Sequence, residues 1–165
     1  MHKKGVSTQV FAFIFALFFM ALILAYGAKT LVNLKHISSD VELTDFVLKL
    51  RDEADSMFHF DIGSSKDISL FLPGNVERIC FFNGEHAITV PHLDSALRNY
   101  LDTTTGKNVF VMPFSFAQNA FFVDHLRAGG GENPLCFLPA GKLNARLHTV
   151  LGDDGGVYVE LRRLP

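Results

Sequence analysis

A run of 24 residues, Gly5 to Ala28, carries no charged side chain, and from Val10 to Tyr26 it reads VFAFIFALFFMALILAY, apolar or aromatic throughout. Coiled into an α-helix, such a run is about 36 Å long, against a bilayer hydrocarbon core of about 30 Å. A helix that is apolar on every face must be covered all round, and a domain of this size cannot do that while closing its own core. The run therefore predicts a membrane-spanning anchor, with Val10, Phe11, Phe13, Phe15, Phe18, Phe19, Leu22 and Leu24 against lipid. A signal sequence cut near Ala25-Tyr26-Gly27 is the competing reading, but the apolar core of a signal peptide is typically about 7–15 residues and this one is longer.

Lys3 and Lys4 are the Lys/Arg ahead of the run, so 13 of the 15 Lys/Arg and all 17 Asp/Glu follow it, a net of −4. A mildly acidic domain lacks the electrostatic footprint of nucleic-acid binding. The flanks of the apolar run are nearly balanced in positive charge, with Lys3 and Lys4 on one side and Lys29 and Lys35 on the other. A short basic head is readily retained on the inside. The expected topology is a single pass through the cell membrane, N-terminus cytoplasmic and C-terminal domain extracytoplasmic. Residues 1–35 would form the head and anchor, 36–62 an amphipathic helix or stalk, and 63–165 a mainly β domain.

Beyond the anchor, Ser39-Asp40-Val41-Glu42 fits a capping box. Leu43, Val47, Leu50, Ala54 and Met57 follow at helical spacing, a one-sided apolar stripe. With no proline before Pro73 and no glycine between Gly27 and Gly63, the two helical stretches can run on as one, bent or broken near Ser38. After Gly63 the apolar period becomes two. Strands are expected over 67–72, 76–82, 108–112, 120–126 and 135–138, and a further helix over 90–101. In 143–151, Leu143, Ala145, Leu147, Thr149 and Leu151 alternate with polar residues, and Val157, Val159 and Leu161 do so after the Gly152–Gly156 turn. This is an α+β chain: a transmembrane helix, an amphipathic helix, then a mainly antiparallel, sandwich-like domain of about six or seven strands.

Cys80 and Cys136 sit in short apolar strands. An even count in an extracytoplasmic domain predicts a disulfide, with two buried free thiols as the alternative. Two cysteines alone do not make a zinc site.

No stretch carries a recognisable catalytic motif. None of the seven histidines is spaced as a helical metal pair. His59-Phe60-Asp61 and His92-Leu93-Asp94 place a histidine and a carboxylate on one side of a strand, a pattern that surface pairs produce more often than metal sites. Asp153-Asp154-Gly155-Gly156 lacks the further oxygen ligands of a calcium loop and reads as a hairpin turn. Gly129-Gly130-Gly131 is not followed by the Gly-Lys-Ser/Thr of a phosphate loop, and reads as a flexible loop over 127–133. No cofactor, metal or enzymatic activity is expected.

Two resemblances bear on function. Lys3-Lys4-Gly5, then Val6-Ser7-Thr8-Gln9 and an unbroken apolar helix, resembles the start of archaeal type IV pilin and archaellin precursors. That resemblance implies processing between Gly5 and Val6, an apolar helix packed in a filament core, and a β-rich head. The family's early glutamate is replaced here by Val10. Over the whole chain, stretches such as Leu72-Pro73-Gly74-Asn75-Val76-Glu77-Arg78-Ile79-Cys80-Phe81 and Asn133-Pro134-Leu135-Cys136 are similar to a group of uncharacterised archaeal single-pass membrane proteins. The function expected is a structural or interaction protein of the cell envelope, pilin-like in build. Its partners would be the bilayer and, through Ala12/Ala16 or Ala21/Ala25, other copies or envelope proteins. An anchored ligand-binding or partner-binding β module is the alternative.

Overall fold

In a computed structural model, residues 5–90 and 93–164 are described; for residues 5–9 and 30–37 the description is of the backbone alone. The chain divides into two compact units, Met1–Ser38 and Ser39–Pro165. Helix α1, Gly5–Phe58, contributes to both.

Its apolar half is the candidate membrane span, Val10–Lys29, and every side chain there is exposed. No polar face interrupts it. The eight anchor residues named from the sequence are all among the exposed apolar side chains.

The second half of α1 has a different chemistry and a different fate. Leu43, Phe46, Val47, Leu50, Ala54 and Met57 are buried, a stripe at spacings of three and four along one face. The sequence pattern anticipates five of these; Phe46 joins them on the edge of the same face. The Ser39–Glu42 box does not start a helix, because all four residues lie inside α1. With no proline or glycine to stop it, the helix runs through, and a cap has no free N–H groups to satisfy there.

Among the described residues, eight strands form two four-stranded sheets. The first has the order β1-β7-β8-β5, with β1 Ser65–Phe71, β5 Leu126–Ala128, β7 Lys142–Leu151 and β8 Val157–Arg162. The second has the order β4-β3-β2-β6, with β2 Arg78–Phe81, β3 Val109–Met112, β4 Ala120–Phe121 and β6 Leu135–Phe137. All pairings are antiparallel except β5 with β8.

The main core gathers the α1 stripe and inward residues of both sheets, among them Ile68, Ile79, Phe81, Val111, Leu147 and Leu161. Alternation splits the second sheet between two interiors. Ile79 and Phe81 face the main core, whereas Cys80 and Phe110 join a smaller cluster with Leu97 and Leu101 of helix α2, Ser95–Thr103. That helix starts later than its apolar period suggests. Asp94 caps it, its carboxylate accepting from the Ala96 N–H at 3.0 Å. Pro91, expected near the helix start, lies outside the described residues.

The segment expected as one strand over 120–126 is two. β4 ends at Phe121 in one sheet, and β5 begins at Leu126 in the other. The side chain of Asn108 holds the crossing. Its amide NH2 donates to the carbonyls of Val123 and Leu126, and its oxygen accepts from the Val123 N–H, all within 2.7–2.8 Å. Three bonds to one side chain satisfy backbone groups that would otherwise pair in a strand. Arg127 and Ala128, expected in a loop, belong to β5. At the end of β7 the inward row fails at Leu151, which is exposed because the chain has already begun to turn.

Candidate functional site

Cys80 and Cys136 are bonded, S–S 2.06 Å. They are direct partners in the β2–β6 register, so strand pairing by itself places the two Cβ atoms side by side. Cys80 is fully buried and Cys136 half-buried.

Cys136 also borders a hollow of about 550 Å³ between the β6 edge of one sheet and the β7 start of the other. Three cations line it. Arg78 opens β2, Lys142 opens β7, and Arg163 follows β8. No carboxylate lines it. The Arg163 guanidinium donates to the Cys136 carbonyl at 2.7 Å and to Glu132 at 3.1 Å, and sits 5.1 Å from the Phe137 ring centre. Lys142 lies 5.2 Å from the ring centre of Phe71, its partner in the β1–β7 register. Arg78 makes no ion pair among the described residues.

On another side, two hollows of about 370 and 390 Å³ share Asn83, Glu85, Arg127 and Tyr158. Arg127 is nearly enclosed: it stacks 3.0 Å from the Tyr158 ring centre and pairs with Glu85 at 2.8 Å. The Tyr158 hydroxyl donates to the carboxylate of Asp154. That hydrogen bond, with a second from the Gly156 N–H, holds the Asp154 carboxyl below its ordinary range and pushes the Tyr158 phenol above its own. A carboxylate kept ionised and a phenol kept protonated, each already bonded to the other, suit neither general acid nor general base work near neutrality. The cluster reads as a clasp on the hairpin. The Asp153–Gly156 turn is further closed by the Gly155 N–H to Gly152 carbonyl bond at 3.0 Å.

The histidine–carboxylate pairs do not become sites. His59 lies in the turn after α1, not on a strand, and its ring nitrogen is 2.8 Å from the Asp55 carbonyl. His92 lies outside the described residues, and Asp94 is a helix cap. His125 stacks on Phe58 with ring centres 3.7 Å apart. Among the described residues no group of three or more His, Cys, Asp or Glu is placed to hold a metal ion.

Gly5 and Val6 form the start of α1, whereas Met1–Lys4 lie outside the described residues. In the glycine loop, a Cβ on Gly129 would stand 2.9 Å from Arg162 Cγ and Glu160 Cβ, so the backbone lies against β8 as no other residue allows. Nothing in the sequence marks the basic hollow in advance. Its residues come from three separate strand ends, and no motif links them.

No family model, curated protein or solved structure matches the chain.

Proposed function

We propose that the chain is a membrane-anchored structural or interaction protein of the cell envelope, pilin-like in build, with the N-terminus cytoplasmic and the β domain extracytoplasmic. One observation carries the reading. The apolar half of α1 buries none of its side chains, while residues 39–165 close a core of their own without it. An apolar surface of that size calls for lipid or the helices of other copies. Ala12/Ala16 and Ala21/Ala25 are small residues at the four-residue spacing that lets helices approach closely in a membrane. The Cys80–Cys136 disulfide suits an oxidising compartment, which supports the outside assignment.

Membrane fractionation with alkaline extraction tests the anchor, and protease protection of sealed vesicles tests the side. Release by alkali would remove the anchored reading; digestion of the domain from the cytoplasmic face would reverse the topology. Intact mass of the membrane protein tests processing. Retention of Met1–Gly5 would exclude a cleaved, pilin-type subunit and leave the simple anchor standing.

A second reading, an anchored module that binds a ligand, is favoured by the basic hollow lined by Arg78, Lys142 and Arg163.

A further inference from the structure

The basic hollow concentrates three cations on a domain whose sequence is acidic overall. Like charges converge at a cost unless something neutralises them. Of the domain's other cations, Lys49, Lys66, Arg127, Arg146 and Arg162 pair with carboxylates, whereas Arg51, Arg98 and Lys107 stand singly without an ion pair among the described residues. Here Arg78 and Lys142 have no carboxylate partner among the described residues, and Arg163 shares one exposed contact with Glu132. The three side chains come from separate strand ends, so the array is held by both sheets.

Its chemistry is selective. A carboxylate offers two oxygens in one plane, a geometry that a single guanidinium fork already matches. Two guanidinium groups and an ammonium approaching from different elements match an anion with oxygens on several sides. Beside them the hollow has an apolar wall, Phe137 and the 77 % exposed Leu138, with the 74 % exposed Phe71 next to Lys142. We infer that this hollow binds a phosphate group. The group is either free or the phosphodiester of a lipid headgroup, whose glycerol and acyl carbons would meet Leu138 and Phe71. This does not depend on the filament or anchor reading.

Calorimetric titration of the full chain in non-ionic detergent micelles tests it, at constant chloride, with inorganic phosphate, glycerophosphoglycerol and acetate as probes. At least one phosphate probe is expected to bind about tenfold more tightly than acetate, and Arg78→Gln or Lys142→Gln each to weaken it about tenfold. Arg98→Gln, an exposed cation on α2, is expected to leave it unchanged. Preference for the diester assigns a lipid headgroup, and preference for inorganic phosphate assigns the free anion. Acetate binding as well as both phosphates, or equal weakening by Arg98→Gln, would overturn the inference. Lys142 is exposed and its side chain makes only the contact with the Phe71 ring, so an unchanged melting midpoint of its variant separates lost binding from lost folding.

Discussion

The hydroxyl of Thr149 donates to the Met57 carbonyl at 2.9 Å, tying the C-terminal end of β7 to the last turn of α1. Both residues are buried. The final carbonyls of a helix lack partners within it, and this one is served by a side chain that the strand pattern placed on the inward row. Thr149→Val keeps the shape and removes the bond. Because the Phe60 N–H also reaches the Met57 oxygen, at 3.1 Å, the carbonyl is not orphaned. The expected loss is about 1 kcal/mol, or about 4 °C in the melting midpoint followed by circular dichroism.

The disulfide closes a loop of sequence separation 56. In the chain-entropy model a loop of that length is worth about 4 kcal/mol. The double variant Cys80→Ala with Cys136→Ala is expected to lose stability by about that amount and to unfold at lower urea concentration, with a steeper dependence of stability on urea because the unfolded chain without the bridge exposes more surface. A fall much smaller than this would mean that the unfolded chain without the bridge is already compact there.

How much of this was readable beforehand depends on whether the cause was local. The α1 stripe was legible because Leu43, Val47, Leu50, Ala54 and Met57 repeat at the helical period, and β7 was legible because its residues alternate. The split between β4 and β5 was not. Its cause is the side chain of Asn108, 15 residues before Val123, and periodicity does not see a hydrogen bond made across that distance. The same holds for the basic hollow. Arg78 and Lys142 are each an ordinary strand-end cation, and they become one feature once the sheets are assembled.

Gly129 is a second place where distant packing decides residue type. Gly129→Ala puts a Cβ 2.9 Å from both Arg162 Cγ and Glu160 Cβ, so those side chains or the backbone after β5 must shift. A loss of about 1–3 kcal/mol is expected, read from urea unfolding. Gly74→Ala, whose Cβ would meet nothing within 4 Å, is the comparison and should cost far less.

The clasp between Asp154 and Tyr158 makes a pH prediction with two signs. Asp154 titrates below its ordinary 3.8. Its contribution is therefore present above that value and is lost as pH falls through the depressed folded midpoint. Tyr158 titrates above its ordinary 10.0. Its contribution is present below that value and is lost as pH rises through the elevated one. Tyr158→Phe should return the Asp154 carboxyl toward 3.8 in an NMR titration, leaving the smaller depression due to the Gly156 N–H. No movement would place the cause of the shift outside the Tyr158 hydroxyl.

The Ser39–Glu42 box, unused as a cap in the full chain, gives a test of the two-unit division. If residues 39–165 hold their own core, deleting residues 1–38 should leave a folded, detergent-free soluble domain with its disulfide intact. In that shortened chain α1 would begin where the box lies. Its first N–H groups would lose their helical context, and the Ser39 hydroxyl and Glu42 carboxylate would be placed to satisfy them. Ser39→Ala should then cost about 1 kcal/mol more in the shortened domain than in the full chain, where residue 39 is interior to the helix. Thermal melts of the four proteins measure the difference. Equal costs in both backgrounds would mean that the helix frays past Ser39 once the apolar half is gone, and that the stripe from Leu43 onward holds the rest in place.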